Sequence, residues 1–453
     1  MKFDLKNASE KLMFWKKDKK NDAEQNQSDE HDESASADSS TGFFGRVSDY
    51  FNPEPQKERV LSQEDFNRAG DTYYASISAF YKVIERLLWM VLAVFLAFSI
   101  ITNYQEITFN NFFYLMKDFS TASDSDVPDY QVLSYDSDSR QTFALYRGGL
   151  VSASPSAVSI FTAGGRRTLK SNTEYYSPNI VCCDKYVLVY DSSGSAFSVY
   201  NSFSKVYNEQ LTSPITDACF GSDGSFAVST KNNDGKSIVY LYGKNLKRRG
   251  EISESNYLFD IAMENGGDRF CTLSYSAGSG NGVSTLDVYN IANSRSAEKL
   301  DTIDIDGEFP IGCAFLDNGR MAVLTNQSVR IFNKNYKQVS KYTFYGANIR
   351  AFEVGPNGIS IVVGAQSIKN AVVFDNKGEL VYNKPIEENV SALKMSEKHV
   401  FMKTAEGVIR LSINNGEQEY LHADGDKMLV YNEDTALVCG DARAEYLVFG
   451  KKR

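Results

Sequence analysis

Hydrophobic and polar positions divide this chain into three textures. Between Leu87 and Ile101 every side chain except Ser99 is apolar. Upstream of that run, polar and charged residues dominate, broken by short apolar islands. Beyond about Tyr130, short runs rich in Val, Ile, Tyr and Phe alternate with Gly, Asn and Asp. That last pattern is the signature of strands joined by tight turns.

A core helix of a soluble domain keeps polar residues on one face, and the central run has no such face. Extended through Thr102, Asn103 and Tyr104, the uncharged stretch reaches the ~20 residues needed to cross the hydrocarbon of a bilayer. Glu85 and Arg86 bound it on one side and Glu106 on the other, with Trp89 and Tyr104 near its ends, where aromatic belts form. Residues 84–104 therefore read as one transmembrane helix. The run lies too deep in the chain for a cleaved signal, which occupies the first ~15–30 residues. Arg68, Lys82 and Arg86 precede it, the tail carries "KKDKK", and Lys117 is the one cation soon after it. This bias predicts a cytoplasmic N-terminus and an extracytoplasmic remainder, in a cell membrane crossed once.

Residues 1–61 read as a largely disordered cytoplasmic tail with short amphipathic motifs. In "MKFDLKNASEKLMFWKKDKK" an apolar cluster, Leu12 to Trp15, adjoins a run of Lys. It suits either a helix resting on anionic lipid or a solvated tail. "NDAEQNQSDEHDESASADSS" holds no large apolar residue and cannot bury enough surface to fold. "TGFFGRVSDYFNPEP" interrupts it. Phe43, Phe44, Val47, Tyr50 and Phe51 recur at helical spacing before Pro53. Such an island fits the groove of a cytoplasmic protein partner, or a membrane-surface anchor. Residues 62–83 read as a juxtamembrane helix that runs into the span, opened by a Ser62–Asp65 pair resembling a capping box. Residues 105–129 read as an outer juxtamembrane helix and a polar linker, with Phe109, Phe112, Phe113, Met116 and Phe119 on one face.

From residue 130 to 453 the strand pattern repeats. "PITDACFGSDGSFAVST", "FPIGCAFLDNGRMAVLT" and "NIRAFEVGPNGISIVVG" each give an apolar strand, a turn ending in Gly and a second apolar strand. The Asp-Gly and Asn-Gly pairs at Gly224, Gly319 and Gly358 suit turns with positive φ. Third strands such as "SIVYLYGKN" and fourth strands such as "ELVYNKP" follow. Four strands per unit at a period of roughly 40 residues is the signature of a β-propeller. Units start near Gln141, Pro178, Pro214, Tyr257, Phe309, Ala347, Asn389 and Asp426. The last has only three strands, and "YQVLSYDS" at the other end is left over to complete it. The expectation is an all-β, eight-bladed propeller, with seven blades as the alternative.

Composition narrows the chemistry. A net charge of -10 argues against nucleic acid, whose phosphates need a surplus of Lys and Arg. His31, His399 and His422 are the only histidines. His399 and His422 read as surface or turn residues. No GxSxG elbow is present, and "SFSK" at Ser202–Lys205 reads as a turn between strands. Asp304, Asp306 and Glu308 could reach a Ca²⁺ ion or simply occupy solvated turns. Cys182, Cys183, Cys219, Cys271, Cys313 and Cys439 all fall in predicted strands, without metal-ligand spacing, and read as mostly reduced core thiols. No catalytic set, metal site or cofactor emerges.

"LLWMVLAVFLAFSII" followed by repeated "SDG", "DNG" and "PNG" turns resembles an uncharacterised family of single-pass bacterial membrane proteins with an extracytoplasmic propeller. The blades are also similar in architecture to quinoprotein-like and WD-repeat propellers. They lack the Trp-docking pattern of the first and the Gly-His and Trp-Asp pairs of the second. The resemblance implies no activity. The function expected is a non-enzymatic, membrane-anchored binding or scaffold module for a protein or cell-wall ligand, linked through its tail to a cytoplasmic partner. The alternatives are a cell-envelope hydrolase or lyase with convergent carboxylates in the channel, and a one-component transmembrane sensor. The oligomeric state stays open.

Overall fold

Tight turns set the strand directions. Gly224, Gly319 and Gly358 have φ angles of 91°, 69° and 130°, a region that glycine enters without steric cost. Each joins the first and second strands of its unit. The computed structural model describes residues 63–102 and 132–450, apart from 139, 193, 233, 278–281, 293–296, 317–318 and 366–367. In it, every repeat unit is a four-stranded antiparallel sheet, and there are eight sheets. Blade 1 spans 142–172, blade 2 178–210, blade 3 215–254 and blade 4 257–306. Blade 5 spans 310–343, blade 6 349–386, blade 7 392–422, and blade 8 combines 427–448 with 132–134. Each observed start lies within a few residues of the sequence expectation, and the blade number is eight.

The first strands of the blades line the axis. Each contacts the first strand of the next blade, and that of blade 8 contacts that of blade 1, so the ring is complete. The second strands are covered on both faces by neighbouring blades. Val187–Asp191, Met321–Thr325 and Thr435–Cys439 are accordingly buried at every position, which is why they read as unbroken apolar runs. The outer strands Arg167–Asn172 and Lys205–Gln210 keep exposed positions. Core packing is concentrated in the seams between blades. Between blades 2 and 3, Phe226 stacks on Tyr242 at 4.5 Å and meets Phe197 edge-on at 5.9 Å, geometries that favour the ring quadrupoles.

The leftover strand closes the ring, as its sequence predicts. Val132–Ser134 pairs antiparallel with Arg443–Val448, placing Leu133 opposite Ala444. The Tyr135 hydroxyl adds a bond to the Arg443 carbonyl oxygen at 2.9 Å. Closure removes the exposed sheet edge that an open array would present.

The other described unit is a single helix, Gln63–Thr102. The juxtamembrane stretch and the apolar run are thus one continuous helix. Its segment Phe80–Ile101 is long and apolar enough to cross a membrane, and none of it is buried against protein. At 1.5 Å per residue it measures about 33 Å, close to the ~30 Å of bilayer hydrocarbon. The tail motif Phe43, Phe44, Val47, Tyr50 and Phe51, and the outer helix expected over 105–129, lie outside the described residues.

Candidate functional site at the mouth of the ring

The first strands of blades 3, 4, 5 and 6 share a local irregularity. Their pairing register shifts between Ile215 and Asp217, Leu258 and Asp260, Pro310 and Gly312, and Ile349 and Ala351. Each is a β-bulge, which inserts one residue and re-aims the next. In blade 4 the inserted residue is Phe259, which is 41% exposed. The residue after it, Asp260, points into the protein.

Asp260 meets Asp217, its counterpart one blade away. The two carboxyl groups lie close enough to shift each other's titration. Asp217 Oδ1 accepts from the Ala218 amide at 2.8 Å. Asp260 Oδ1 accepts from the Ile261 amide at 2.9 Å, and Oδ2 from the Cys313 amide of blade 5 at 2.7 Å. Gly312 leaves room beside that bond, since a Cβ there would make a tight contact of 3.3 Å with Asp260 Oδ2. No cation enters the set of groups that shape either carboxyl. Burial, followed by repulsion from Asp260, pushes the Asp217 carboxyl up to about 8, and burial raises Asp260 as well. The pair therefore tends to retain a proton at neutral pH. Tyr190 of blade 2 and Cys219 of blade 3, the nearby titratable groups, also hold their protons more tightly because of burial. The pair ties three blades together around one retained proton.

An aromatic cluster stands at the same end of the ring. Phe309, just before the first strand of blade 5, lies 4.8 Å from Phe259 and 4.9 Å from Tyr275. Tyr275 ends the second strand of blade 4 near the turn to the third, so the cluster spans the seam between blades 4 and 5. Phe309 is 41% exposed and Tyr257, at the start of the same blade 4 strand, 50%. Lys231 of blade 3 covers the Tyr257 ring at 4.8 Å. A further half-buried acid, Glu353 in blade 6, pairs with Lys394 of blade 7 at 3.0 Å.

Several sequence candidates resolve differently. Asp304, Asp306 and Glu308 do not converge. Asp304 accepts from the Thr285 hydroxyl at 2.9 Å and Asp306 is exposed. Glu308 turns inward, where Arg330 and Lys341 reach it at 2.6 and 3.0 Å. Thr325 and Ser328 donate to its other oxygen, each at 2.6 Å. These donors outweigh burial and lower the Glu308 carboxyl to about 2. Among the described residues, no group of three or more His, Cys, Asp or Glu side chains is placed to hold a metal. His399 opens a strand instead of sitting in a turn, and its Nδ1 lies 3.0 Å from Glu433. His422 ends a strand and is exposed. Ser202 lies in the turn expected for it. Cys183 falls just beyond its strand, while the other five cysteines lie within strands, and all six are free thiols.

Asp217, Asp260, Phe259 and Phe309 escaped sequence analysis. One signal was available. "ITDACF" and "LFDIAM" place an Asp at the same offset in consecutive units.

Solved structures support the fold. Sqt1 of Saccharomyces cerevisiae is similar, with a TM-score of 0.52 and 12% identity, over 71% of this chain and 98% of that one. The WD40 domain of SCAP from fission yeast gives 0.50 and 10%, over 71% and 98%. No curated protein matches the sequence. Residues 125–437 do match the model of a family of unknown function, DUF5711, and the chain belongs to that family.

Proposed function

We propose that this protein is a membrane-anchored, non-enzymatic binding module whose propeller, outside the cytoplasm, holds a protein partner at the Phe259–Tyr275–Phe309 mouth. The observation that carries this reading is the aromatic cluster itself. Large apolar rings cost free energy when left in water, and half-exposed rings bridging two blades offer a rigid anchor of the kind found at binding hot spots. A cell-wall glycan is the less favoured ligand, because sugar-stacking platforms draw on Trp and Trp15 and Trp89 both lie outside the propeller. The helix Phe80–Ile101 supports anchoring by its length and apolar surface. On this reading the tail motif Phe43, Phe44, Val47, Tyr50 and Phe51 engages a second, cytoplasmic partner.

A photo-crosslinking residue at Phe309 in living cells tests the ligand surface. A discrete protein adduct, lost on adding Phe259→Ser, is the expected result. Crosslinks to wall polymer alone would move the site to a glycan, and no adduct at all would remove it. Protease treatment of intact cells carrying a tag at each terminus tests the topology. Loss of the C-terminal tag alone is expected, and loss of the N-terminal tag alone overturns the orientation.

The hydrolase or lyase reading draws on the Asp217–Asp260 pair. Against it, Asp260 has committed both oxygens to backbone amides, which leaves the pair poorly placed to move a proton to substrate.

A further inference from the structure

The seam beneath the aromatic cluster contains a second close pair. Cys271, in the second strand of blade 4, and Cys313, in the first strand of blade 5, have Sγ atoms 3.8 Å apart. They are 1% and 6% exposed. They sit in one apolar cluster with Leu273, Leu286, Phe315 and Val323. A thiol is a weak hydrogen-bond donor, so this contact contributes little as it stands. A disulfide brings the sulfurs to about 2.05 Å, which requires each to move by roughly 0.9 Å from the observed separation.

We infer that Cys271 and Cys313 form a modification site, a dithiol that closes to an inter-blade disulfide when the chain folds in the presence of a disulfide oxidant. The oxidant is a small-molecule or protein disulfide, R–S–S–R. One cysteine attacks as thiolate and expels the first R–S⁻, which takes up the proton that cysteine lost. The second cysteine then displaces R–SH from the mixed disulfide, giving its own proton to that leaving group. Two protein thiols and one R–S–S–R become one protein disulfide and two R–SH, with atoms and electrons balanced. Contact with Cys271 raises the Cys313 thiol, and burial raises it further. Thiolate is therefore scarce in the closed ring. Exchange belongs to the folding chain, and the finished bond is shielded from reductant. The bond would join the blades that carry Phe259 and Phe309, so it would fix the spacing of the aromatic cluster. The inference needs neither the membrane nor the ligand of the proposed function.

The test uses the full-length chain in detergent, unfolded with reductant and refolded in mixtures of oxidised and reduced glutathione. Samples are acid-quenched, unfolded, alkylated and mapped by peptide mass. The expected product is one linked peptide pair, Cys271 with Cys313, lighter by two hydrogens than the reduced peptides. Cys182, Cys183 and Cys439 should be fully alkylated. Cys219→Ser should keep the link and Cys271→Ser should lose it. Exposing already folded protein to the same oxidant should oxidise it at least ~10-fold more slowly. Alkylation of all six cysteines at the most oxidising ratio would overturn the inference, as would a link that includes Cys219 instead.

Discussion

The Asp217 and Asp260 carboxyls meet across the seam between blades 3 and 4, where burial and the neighbouring Asp260 hold the Asp217 carboxyl well above the usual carboxylate range. Among the described residues no ion pair joins a cation to either acid, so two part-buried acids in neighbouring blades are stable together while the pair retains a proton. The Asp217 pKa is raised on folding, so the folded protein binds more protons than the unfolded chain. The stabilisation is complete below about pH 4 and is lost as pH rises toward about 8. Urea unfolding at pH 5 and pH 9 should therefore show lower stability at pH 9. Asp217→Asn, which keeps a hydrogen-bond donor without a charge, should flatten that difference. An equal pH dependence in the variant would refute the assignment.

Glu308 predicts the opposite slope in a separate window. Its pKa is lowered to about 2 by Arg330, Ser328, Thr325 and Lys341. The stability it gives is present above about pH 4.5 and is lost as pH falls toward 2. Glu308→Ala leaves the largely buried Arg330 guanidinium, 16% exposed, without its carboxylate. Breaking a buried pair in this way costs about 3–5 kcal/mol. The shift should be visible in the thermal midpoint at neutral pH, and it should shrink on acidification.

Ring closure rests on few contacts. Deleting residues 132–134 strips blade 8 of its fourth strand, and limited proteolysis should then cut first within 427–448. Tyr135→Phe is milder, because it removes only the bonds to the Gly440 and Arg443 carbonyl oxygens. A cost of about 1 kcal/mol is expected, read as a small drop in Tm. Unchanged proteolysis after the deletion would show that the ring does not depend on this strand.

The aromatic mouth separates binding from stability. Phe259→Ser with Phe309→Ser removes two half-exposed rings, so Tm should move by only about 2–4 °C. Capture of the crosslinked partner should fall at least ~10-fold, as expected when a hot-spot ring is lost. A large Tm loss instead would identify the cluster as part of the core.

Much of the architecture is legible in the sequence because local rules govern it. Asp-Gly and Asn-Gly fix the turns at Gly224, Gly319 and Gly358, and double-sided burial makes strands such as Met321–Thr325 continuous apolar runs. The candidate site is legible only in part, because it is made between units. Asp217 reads as an ordinary polar position until the bulge after Ile215 turns it toward the next blade. Glu308 looks like an open-turn acid in "DIDGEFP", yet its four partners come from farther along the chain in blade 5. Cys271 and Cys313 are 42 positions apart, and only the packing of one blade on the next brings their sulfurs into contact.

The strand that closes the ring is also the first strand made. Tyr135 and Arg443 stand 308 positions apart, which at ~5–20 residues per second corresponds to about 15–60 s of synthesis. Through that interval the first strands of blade 1 and of the newest blade both lack a neighbour, and the growing chain carries bare edges at both ends. Whatever attends the emerging polypeptide must shield those edges until the final strand arrives. Synthesis of Arg443–Val448 thus sets the earliest moment at which this ring can exist.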